Sequence, residues 1–335
     1  MALKIAINGY GRIGRNVHRL SLEHKNLSVR AINSRADAFS HAHLLKYDSL
    51  HGILDHEVSS EGKENLIIDG KPVRVYQIYD ENEYPWGDLG IDIVVECTGK
   101  GRSYLKAKKH LEAGAKKVLV TAPCKDINTF VIGVNEKEVD LKKDLIISNA
   151  SCTTNCIAPP LKILDEKFGI ESAFVTSIHS FTNSQNLLDN SANDFRRARS
   201  AVMSVIPTTT GSIRATGMIM PRLKGKIDGL AFRVPIATSS VCDVDIHFEK
   251  KVSAEGINNL FKGVARDPAY DKIIDVSDGP LVSIDFKTNK HSSILDMPLT
   301  QVINDYYAKL ILWYDNEWGY AARLCDMLGI LGEDL

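Results

Sequence analysis

Short apolar runs alternate with helix-like segments along the first 150 residues of the chain. The apolar runs lie at residues 3–7, 27–32, 91–95, 117–120 and 145–147. Runs of this length are typical of buried strands, and strands that alternate with helical segments favour a parallel sheet. We therefore predict an α/β domain over residues 1–150, built on a doubly wound parallel sheet of the Rossmann type. Residues 40–90 mix short strands with turns, and we interpret them as an insertion that decorates this domain.

The hydrophobic pattern changes after residue 150. Apolar and polar residues alternate there in longer segments, at residues 173–179, 228–234, 241–249, 281–286 and 309–314. Alternation predicts strands with one buried face, which are typical of antiparallel or mixed sheets. We therefore predict a second, α+β domain over residues 151–317, with a largely antiparallel or mixed sheet.

Three glycines lie between the first apolar run and the helix-like segment that follows it. Gly9, Gly11 and Gly14 have the spacing Gly-x-Gly-x-x-Gly. After a strand and before a helix, this spacing predicts a dinucleotide site in which the glycines allow a tight turn, close approach of the pyrophosphate and close helix packing. The other candidates for this site lie inside the motif or after later strands and are Arg12, Ile13, Thr98, Gly99 and Thr121.

Cys152 lies where an apolar strand is followed by a helix-like segment, and it is a candidate nucleophile. We expect the unpaired N–H groups of the helix start to stabilise its thiolate and to hold an oxyanion formed by its attack on a carbonyl. His179, at the end of a predicted strand, is the candidate base. Cys156 is four residues from Cys152, but without a second pair of ligands no metal site is predicted.

Composition narrows the classes of function. Lys and Arg number 41 against 42 Asp and Glu, so no basic footprint indicates a dedicated nucleic acid partner. No apolar run approaches the length of a membrane span, and the first residues enter a strand without a signal-peptide pattern. Six cysteines without disulfide-framework or metal spacing favour a reducing, cytoplasmic setting.

The segment Ser148–Cys156 closely resembles the active-site signature of the glyceraldehyde-3-phosphate dehydrogenases, and the resemblance covers nearly the whole chain. The other matching segments are Ile7–Gly14, His43–Ser49, Ile206–Gly211, Arg233–Pro235 and Trp313–Tyr320. The resemblance implies oxidation of D-glyceraldehyde 3-phosphate, with NAD(P) and inorganic phosphate, to 1,3-bisphosphoglycerate. Cys152 would form a thiohemiacetal and then a thioester, with His179 as base.

The resemblance also implies binding residues and an assembly. The positions that match phosphate-binding residues of the family are Ser151, Thr153, Thr182, Arg197, Thr210, Gly211 and Arg233. Asn316 matches the residue that orients the nicotinamide amide. The family assembles as a homotetramer in which the segment 182–210 packs between subunits, and its C-terminal helix, here 318–335, completes the coenzyme domain.

The most informative departure from the family follows the second predicted strand. An acidic residue is expected there to hold the ribose hydroxyls of the coenzyme. NAD-using members have Asp where this chain has Ser34, and Arg35 follows it. Ser191 matches a serine of the NADP-using plastid enzymes. We therefore expect the chain to accept NADP, together with NAD.

Two alternative functions stay open at the level of sequence. One is erythrose-4-phosphate dehydrogenase, although its members usually alter the stretches that this chain keeps at 182–183 and 207–211. The other is a non-catalytic nucleotide- or RNA-binding protein on the same fold, although the candidate catalytic residues are intact. The departures at Ser184, at Pro160 and at residues 236–239 have no functional account.

Overall fold

The structure is a computed structural model that describes residues 2–335. It divides into two compact units. The first unit contains the chain up to residue 130 together with residues 137–150 and 321–335, and the second contains residues 131–136 and 151–320. No helix within residues 2–335 has the length and apolarity that crossing a membrane would require.

The first unit is built on a mainly parallel sheet. Its strands are β1 (Leu3–Asn8), β2 (Leu27–Asn33), β3 (Tyr47–Asp48), β4 (Gly52–Ile53), β5 (Val58–Glu61), β6 (Asn65–Ile68), β7 (Lys71–Tyr76), β8 (Ile93–Glu96), β9 (Lys117–Val120) and β10 (Ile146–Ser148). Its helices include α1 (Arg12–Ser21), α2 (Ala38–Lys46) and α3 (Tyr104–Glu112). The sheet order is β10-β9-β8-β1-β2-β7-β6-β5, parallel from β10 to β7 and antiparallel beyond, while β3 and β4 form a separate pair.

The burial of the central strands explains why the hydrophobic pattern predicted a parallel sheet. β8 and β9 are buried along their whole length, as expected for strands that are covered on both faces. The predicted Rossmann-type sheet is therefore confirmed. The segment interpreted as an insertion is part of the same sheet, because β7 pairs in parallel with β2 and sets Tyr76 opposite Asn33.

The second unit contains a mixed sheet. Its helices are α4 (Cys152–Phe168), α5 (Ser212–Ile219) and α6 (Ala254–Val264), and its strands are β11 (Ile170–Ser180), β12 (Ile206–Thr208), β13 (Ile227–Val234), β14 (Ser240–Phe248), β15 (Ile274–Ser277), β16 (Ser293–Asp296), β17 (Gln301–Ile303) and β18 (Tyr307–Tyr314). The order is β12-β13-β11-β14-β18-β16-β15, and β17 pairs with β18. Burial alternates along β14, as the sequence pattern predicted.

The prediction of one strand in the second unit is wrong. Residues 281–286 were expected to form a strand, but Ser283–Phe286 form a 3₁₀ helix. The carboxylate of Asp285 accepts a hydrogen bond from the Val282 N–H at 2.8 Å and holds this turn. The apolar side chains of Val282 and Ile284 are exposed, so the alternation here does not mark a buried sheet face.

The last helix, α7 (Trp318–Leu331), begins in the second unit, and its residues from Ala321 onward belong to the first. Within the first unit, the Lys117 ammonium donates to the Leu331 carbonyl at 3.0 Å and also pairs with Asp334. A buried lysine at the start of β9 therefore ties the C-terminal residues to the parallel sheet.

Candidate active site

Cys152 is the first residue of α4 and follows a capped helix start. Ser151 is the N-cap, and its Oγ accepts a hydrogen bond from the Thr154 N–H at 3.1 Å. Ala150 has a φ of 54°, a left-handed conformation that is uncommon outside glycine and is often found at functional sites. The local backbone therefore fixes the sulfur at the first turn of the helix, as the sequence predicted.

The sheet register brings His179 and Arg233 together beside Cys152. His179 lies near the end of β11, directly opposite Arg233 on the parallel strand β13. His179 Nε2 is 3.5 Å from the Cys152 sulfur, and Arg233 Nη1 is 2.7 Å from His179 Nδ1. The same guanidinium nitrogen donates to the Ser180 carbonyl at 2.9 Å. Thiol, imidazole and guanidinium thus form a continuous chain of contacts.

Burial decides the charge state of this group. It lowers the pKa of His179 to about 3, with a further lowering from the positive charge of Arg233, so the imidazole is neutral at neutral pH. Burial also raises the pKa of the Cys152 thiol, while Arg233 and Thr153 act in the opposite direction without overcoming it. Desolvation of the sulfur therefore opposes the nearby positive charge and N–H donors, and the Cys152 thiolate expected from the helix start and His179 stays a prediction.

Tyr314 is a site residue that sequence reasoning missed. Its hydroxyl lies 2.9 Å from Thr153 Oγ1 and 3.4 Å from Ser177 Oγ, and all three residues are buried. Its ring also meets the imidazole of His179 edge-on, with 6.1 Å between the ring centroids. A signal was available, since Tyr314 is inside a family-like segment and takes an inward position on β18.

The side-chain amide of Asn316 is held in one orientation. Its Oδ1 accepts hydrogen bonds from Ser180 Oγ and Ser240 Oγ, each at 2.9 Å. Both donors act on the same oxygen, which leaves the amide NH₂ group as the donor that Asn316 can offer to a ligand.

Family models match both parts of the chain. Residues 3–104 match the NAD binding domain and residues 151–316 the C-terminal domain of glyceraldehyde 3-phosphate dehydrogenase. Glyceraldehyde-3-phosphate dehydrogenase 2 of Bacillus subtilis (strain 168) is 48% identical over 98% of this chain and 96% of that protein. The Geobacillus stearothermophilus enzyme is 48% identical over 98% and 97%, and the chloroplastic B enzyme of Pisum sativum is 47% identical over 97% and 73%.

The chain belongs to the glyceraldehyde-3-phosphate dehydrogenase family. The predicted family, the oxidoreductase class and the NAD-binding domain are thereby confirmed.

The glycine motif of the family's NAD-binding domain has room for a pyrophosphate. Gly9 has a φ of 96°, and a Cβ there would overlap the backbone of Thr98, while a Cβ on Gly14 would overlap the Gly9 carbonyl oxygen. A Cβ on Gly11 would meet no atom within 4 Å, so open space lies before the N-terminus of α1, which has no side-chain cap. Uncapped N–H groups facing open space fit a phosphate group.

The other candidates for the NAD site differ in their side-chain contacts and exposure. Thr98 and Thr121 follow β8 and β9, and their hydroxyls bond to the side chain and the carbonyl of buried Glu96. Gly99 has a φ of 68°. Arg12 pairs with Asp48. Ile13, Ser34, Arg35 and Ser191 lie at partly or fully exposed positions.

Three of the remaining family phosphate positions, Arg197, Thr210 and Gly211, lie beside β12 in the second unit. Arg197 donates from Nε to Thr208 Oγ1 at 2.7 Å. Gly211 is the N-cap of α5, and Thr210 Oγ1 lies 2.6 Å from Ser212 Oγ. Thr182 Oγ1 lies 2.9 Å from Ser184 Oγ, so the unexplained Ser184 is a hydroxyl partner of a candidate phosphate residue.

Proposed function

We propose that this chain is a phosphorylating glyceraldehyde-3-phosphate dehydrogenase, in which Cys152 is the nucleophile and His179 the acid–base group. The observation that carries this proposal is a neutral, buried imidazole 3.5 Å from a thiol at a capped helix start. A neutral imidazole can accept the thiol proton, and the first-turn N–H groups can stabilise the oxygen of the substrate as it becomes negative.

The reaction follows from these groups. The Cys152 sulfur attacks the aldehyde carbon, and its proton passes through His179 to the aldehyde oxygen to give a thiohemiacetal. Bound NAD supplies the hydride acceptor for the oxidation. His179 accepts the hydroxyl proton as the carbonyl reforms, which leaves a thioester on Cys152. Inorganic phosphate then attacks the thioester carbon, and the C–S bond breaks to release 1,3-bisphosphoglycerate.

Two phosphate groups require cationic and N–H partners. We assign Arg233 and Arg197 to them, because a planar guanidinium meets phosphate oxygens in pairs. The remaining family positions, Ser151, Thr153, Thr182, Thr210 and Gly211, supply hydroxyl or N–H donors. The Thr153 hydroxyl is engaged by Tyr314, so its backbone N–H is the donor that we expect it to contribute.

The proposed function is tested by a pair of thiol variants. Cys152→Ser should abolish reduction of NAD by D-glyceraldehyde 3-phosphate and phosphate, while NAD still binds. Cys124→Ser is the matched control, because serine there can keep the hydrogen bond to the Ala122 carbonyl. Near-normal turnover of Cys152→Ser would overturn the mechanism. Preference of the wild-type protein for erythrose 4-phosphate would overturn the substrate assignment.

Use of NADP is a further part of the proposal. Ser34 follows β2, where its N–H donates to the Tyr76 carbonyl at 2.9 Å, and the side chain of Arg35 beside it is exposed. This end of β2 has no carboxylate at position 34 to repel a 2′-phosphate, and Arg35 offers a cation. Ser191 is an exposed serine of the second unit. Its match to a serine of the NADP-using plastid enzymes also supports NADP use.

The coenzyme choice is tested by the ratio of kcat/KM for NADP to that for NAD. Ser34→Asp should move this ratio at least tenfold toward NAD, about 1.4 kcal/mol in transition-state binding. Ser28→Asp, at a partly buried position on the same strand, is the control and should leave the ratio unchanged. A wild-type ratio below about 0.01, or a ratio that Ser34→Asp does not move, would refute NADP use.

We also propose a homotetramer in the cytoplasm. Large apolar side chains are exposed along the segment 182–210, among them Leu188, Phe195 and Met203. Exposed apolar patches of this kind mark interaction surfaces. All six cysteines are free thiols, which suits a reducing compartment. Light scattering should give four times the 37.1 kDa of one chain, and the mass of a monomer would contradict the assembly.

A further inference from the structure

A buried carboxylate lies at the edge of the parallel sheet that carries the glycine motif. Glu96 is the last residue of β8 and is only 3% exposed. Its Oε1 accepts hydrogen bonds from the N–H and the hydroxyl of Thr98, the first at 2.8 Å. Its Oε2 accepts from Asn8 Nδ2 at 2.6 Å and lies 3.1 Å from His110 Nε2. Four polar groups therefore converge on one side chain that takes no part in the chemistry at Cys152.

His110 donates to this carboxylate in a single tautomer. Trp86 Nε1, which can only donate, lies 3.0 Å from His110 Nδ1 and therefore requires a lone pair on that nitrogen. The ring hydrogen is then on Nε2 and points at Glu96. The ring is also stacked on Tyr84, with 4.9 Å between the centroids. The orientation and the tautomer of this donor are thus both fixed by its neighbours.

These donors keep the Glu96 side chain ionised. Burial raises the pKa of Glu96, but hydrogen bonds from His110, Thr98 and Asn8 outweigh burial and hold this pKa below its ordinary value. An ionised acceptor makes each of these hydrogen bonds stronger than a neutral one would. A glutamine at position 96 would place its NH₂ group against other donors whichever way it was turned. The site therefore requires a carboxylate rather than an amide.

The hydrogen bonds continue along the ends of the neighbouring strands. Asn8 ends β1, and its Oδ1 accepts from Asn33 Nδ2 at 2.8 Å at the end of β2. The Asn33 side chain also exchanges two hydrogen bonds with the backbone of Ile78, which follows β7. On the other side, the Glu96 carbonyl accepts from the Thr121 hydroxyl after β9. Glu96 is thus at the centre of the strand ends where an open parallel sheet binds its ligand.

Thr98 connects this network to the glycine motif. Its hydroxyl oxygen accepts from the Lys100 N–H at 3.0 Å, across Gly99, which has a φ of 68°. Its backbone packs so closely on Gly9 that a Cβ on that glycine would lie 2.6 Å from Thr98 N. Because Glu96 holds both the N–H and the hydroxyl of Thr98, it fixes the turn 98–100 against the glycine motif.

We propose that Glu96 is a positioning residue for NAD, which holds the turn 98–100 in the conformation that the coenzyme binds. The inference deepens the proposed function and rests on it, since it takes Thr98 and Gly99 as coenzyme contacts. A turn that is ordered before binding spares the coenzyme the entropy cost of ordering it. Loss of the carboxylate should therefore weaken NAD binding while the bound complex keeps its rate of hydride transfer.

The test compares NAD affinity, measured by calorimetric titration without turnover, with kcat and KM. Glu96→Gln should raise Kd and KM for NAD at least about tenfold, as expected for loss of hydrogen bonds to a charged group, and leave kcat at saturating NAD within about twofold. Asp92→Asn is the matched control at the opposite end of β8, where the carboxylate accepts from the Lys4 N–H at 2.8 Å and pairs with Lys116. It should lower the free energy of unfolding in urea but leave Kd for NAD unchanged.

A double variant separates positioning from general damage. Asn8→Asp combined with Glu96→Gln exchanges the amide and the carboxylate across their hydrogen bond. The carboxylate introduced at position 8 can accept from the new amide and from His110 Nε2, which lies 3.5 Å from Asn8 Nδ2. It can still accept from Asn33, so the double variant should recover NAD affinity to within about threefold of wild type.

An unchanged Kd for NAD in Glu96→Gln, or an equal loss of affinity in Asp92→Asn, would overturn the inference. If Glu96→Gln does not fold, the double variant decides, and weak NAD binding by it would count against the role of the carboxylate. Wild-type protein that binds NAD but does not turn over D-glyceraldehyde 3-phosphate refutes the proposed function alone, because the affinities are measured without turnover.

Discussion

His179 shows how burial prepares a single residue for proton transfer. Because its pKa is lowered to about 3, the imidazole is uncharged throughout the neutral range and needs no deprotonation before it can act. We predict that His179→Asn slows kcat by about 10²–10⁴-fold, the usual loss for one positioned acid–base group. His247→Asn, on the same sheet beside Glu171, is the control and should stay active. An unchanged rate of His179→Asn at pH 7 would assign His179 to structure.

Arg233 supports a second prediction at the residue scale. If it holds the substrate phosphate, Arg233→Leu should raise KM for D-glyceraldehyde 3-phosphate by at least about tenfold, and far less for unphosphorylated glyceraldehyde, because one charged hydrogen-bonding partner is lost. Arg222→Leu removes an exposed arginine from the same unit and should leave both KM values unchanged. Equal effects of Arg233→Leu on the two aldehydes would point to folding instead.

The residue types of the site could be read from the sequence, but their contacts could not. Cys152 and His179 stand out because each ends or follows an apolar segment in a recognisable motif. The contact between Arg233 and His179 depends on the register of two strands that are 54 residues apart in sequence. The burial of Cys152, which raises the pKa of its thiol, is likewise a property that local sequence does not report.

At the scale of elements, the start of α4 can be tested against a matched helix start. Ser151 caps α4 with an Oγ that accepts from Thr154 N–H at 3.1 Å, and Ser253 caps α6 by accepting from Gly256 N–H at 3.0 Å. Each serine-to-alanine change should lower the free energy of unfolding by about 1 kcal/mol, measured by urea denaturation. Ser151→Ala should also lower kcat, whereas Ser253→Ala should not. Equal kcat values for the two variants would mean that the cap serves stability alone.

The elements themselves were predictable where burial and periodicity agree. The fully buried strands β8 and β9 and the alternating strand β14 matched their sequence patterns. The stretch 281–286 alternates as well, but its apolar residues are largely exposed and Asp285 closes a turn there. The pairing of β7 with β2 was not predicted, because the sequence of each segment alone does not determine which distant strand it pairs with.

At the scale of the whole molecule, buried neutral histidines tie stability to pH. His18 belongs to the first unit and His179 to the second, and burial lowers the pKa of each to about 3, against 6.5 for an ordinary histidine. Between these two pH values the unfolded chain binds more protons than the folded one. Stability is therefore fully present above about pH 6.5 and falls as the pH is lowered toward 3.

His18 offers the cleanest test of this linkage, because its partner can be removed with it. Tyr10 OH lies 2.6 Å from His18 Nδ1, and both side chains are buried. Burial raises the pKa of Tyr10, so its hydroxyl stays protonated and can donate to the neutral ring. The double variant Tyr10→Phe/His18→Leu leaves no buried polar atom of this pair without a partner, so its effect on the pH dependence is not confounded by an orphaned hydroxyl.

We predict that this double variant loses the part of the pH dependence of stability that comes from protonation of one histidine on unfolding. The slope of the unfolding free energy against pH should fall by up to about 1.4 kcal/mol per pH unit between pH 5 and 6, since one group no longer takes up a proton on unfolding. Urea unfolding is measured at several pH values and one protein concentration, because assembly would otherwise shift the apparent stability. His247→Leu, which removes a partly exposed histidine, should keep most of the wild-type slope. A double variant with the full wild-type slope would mean that His18 is not held neutral by the fold.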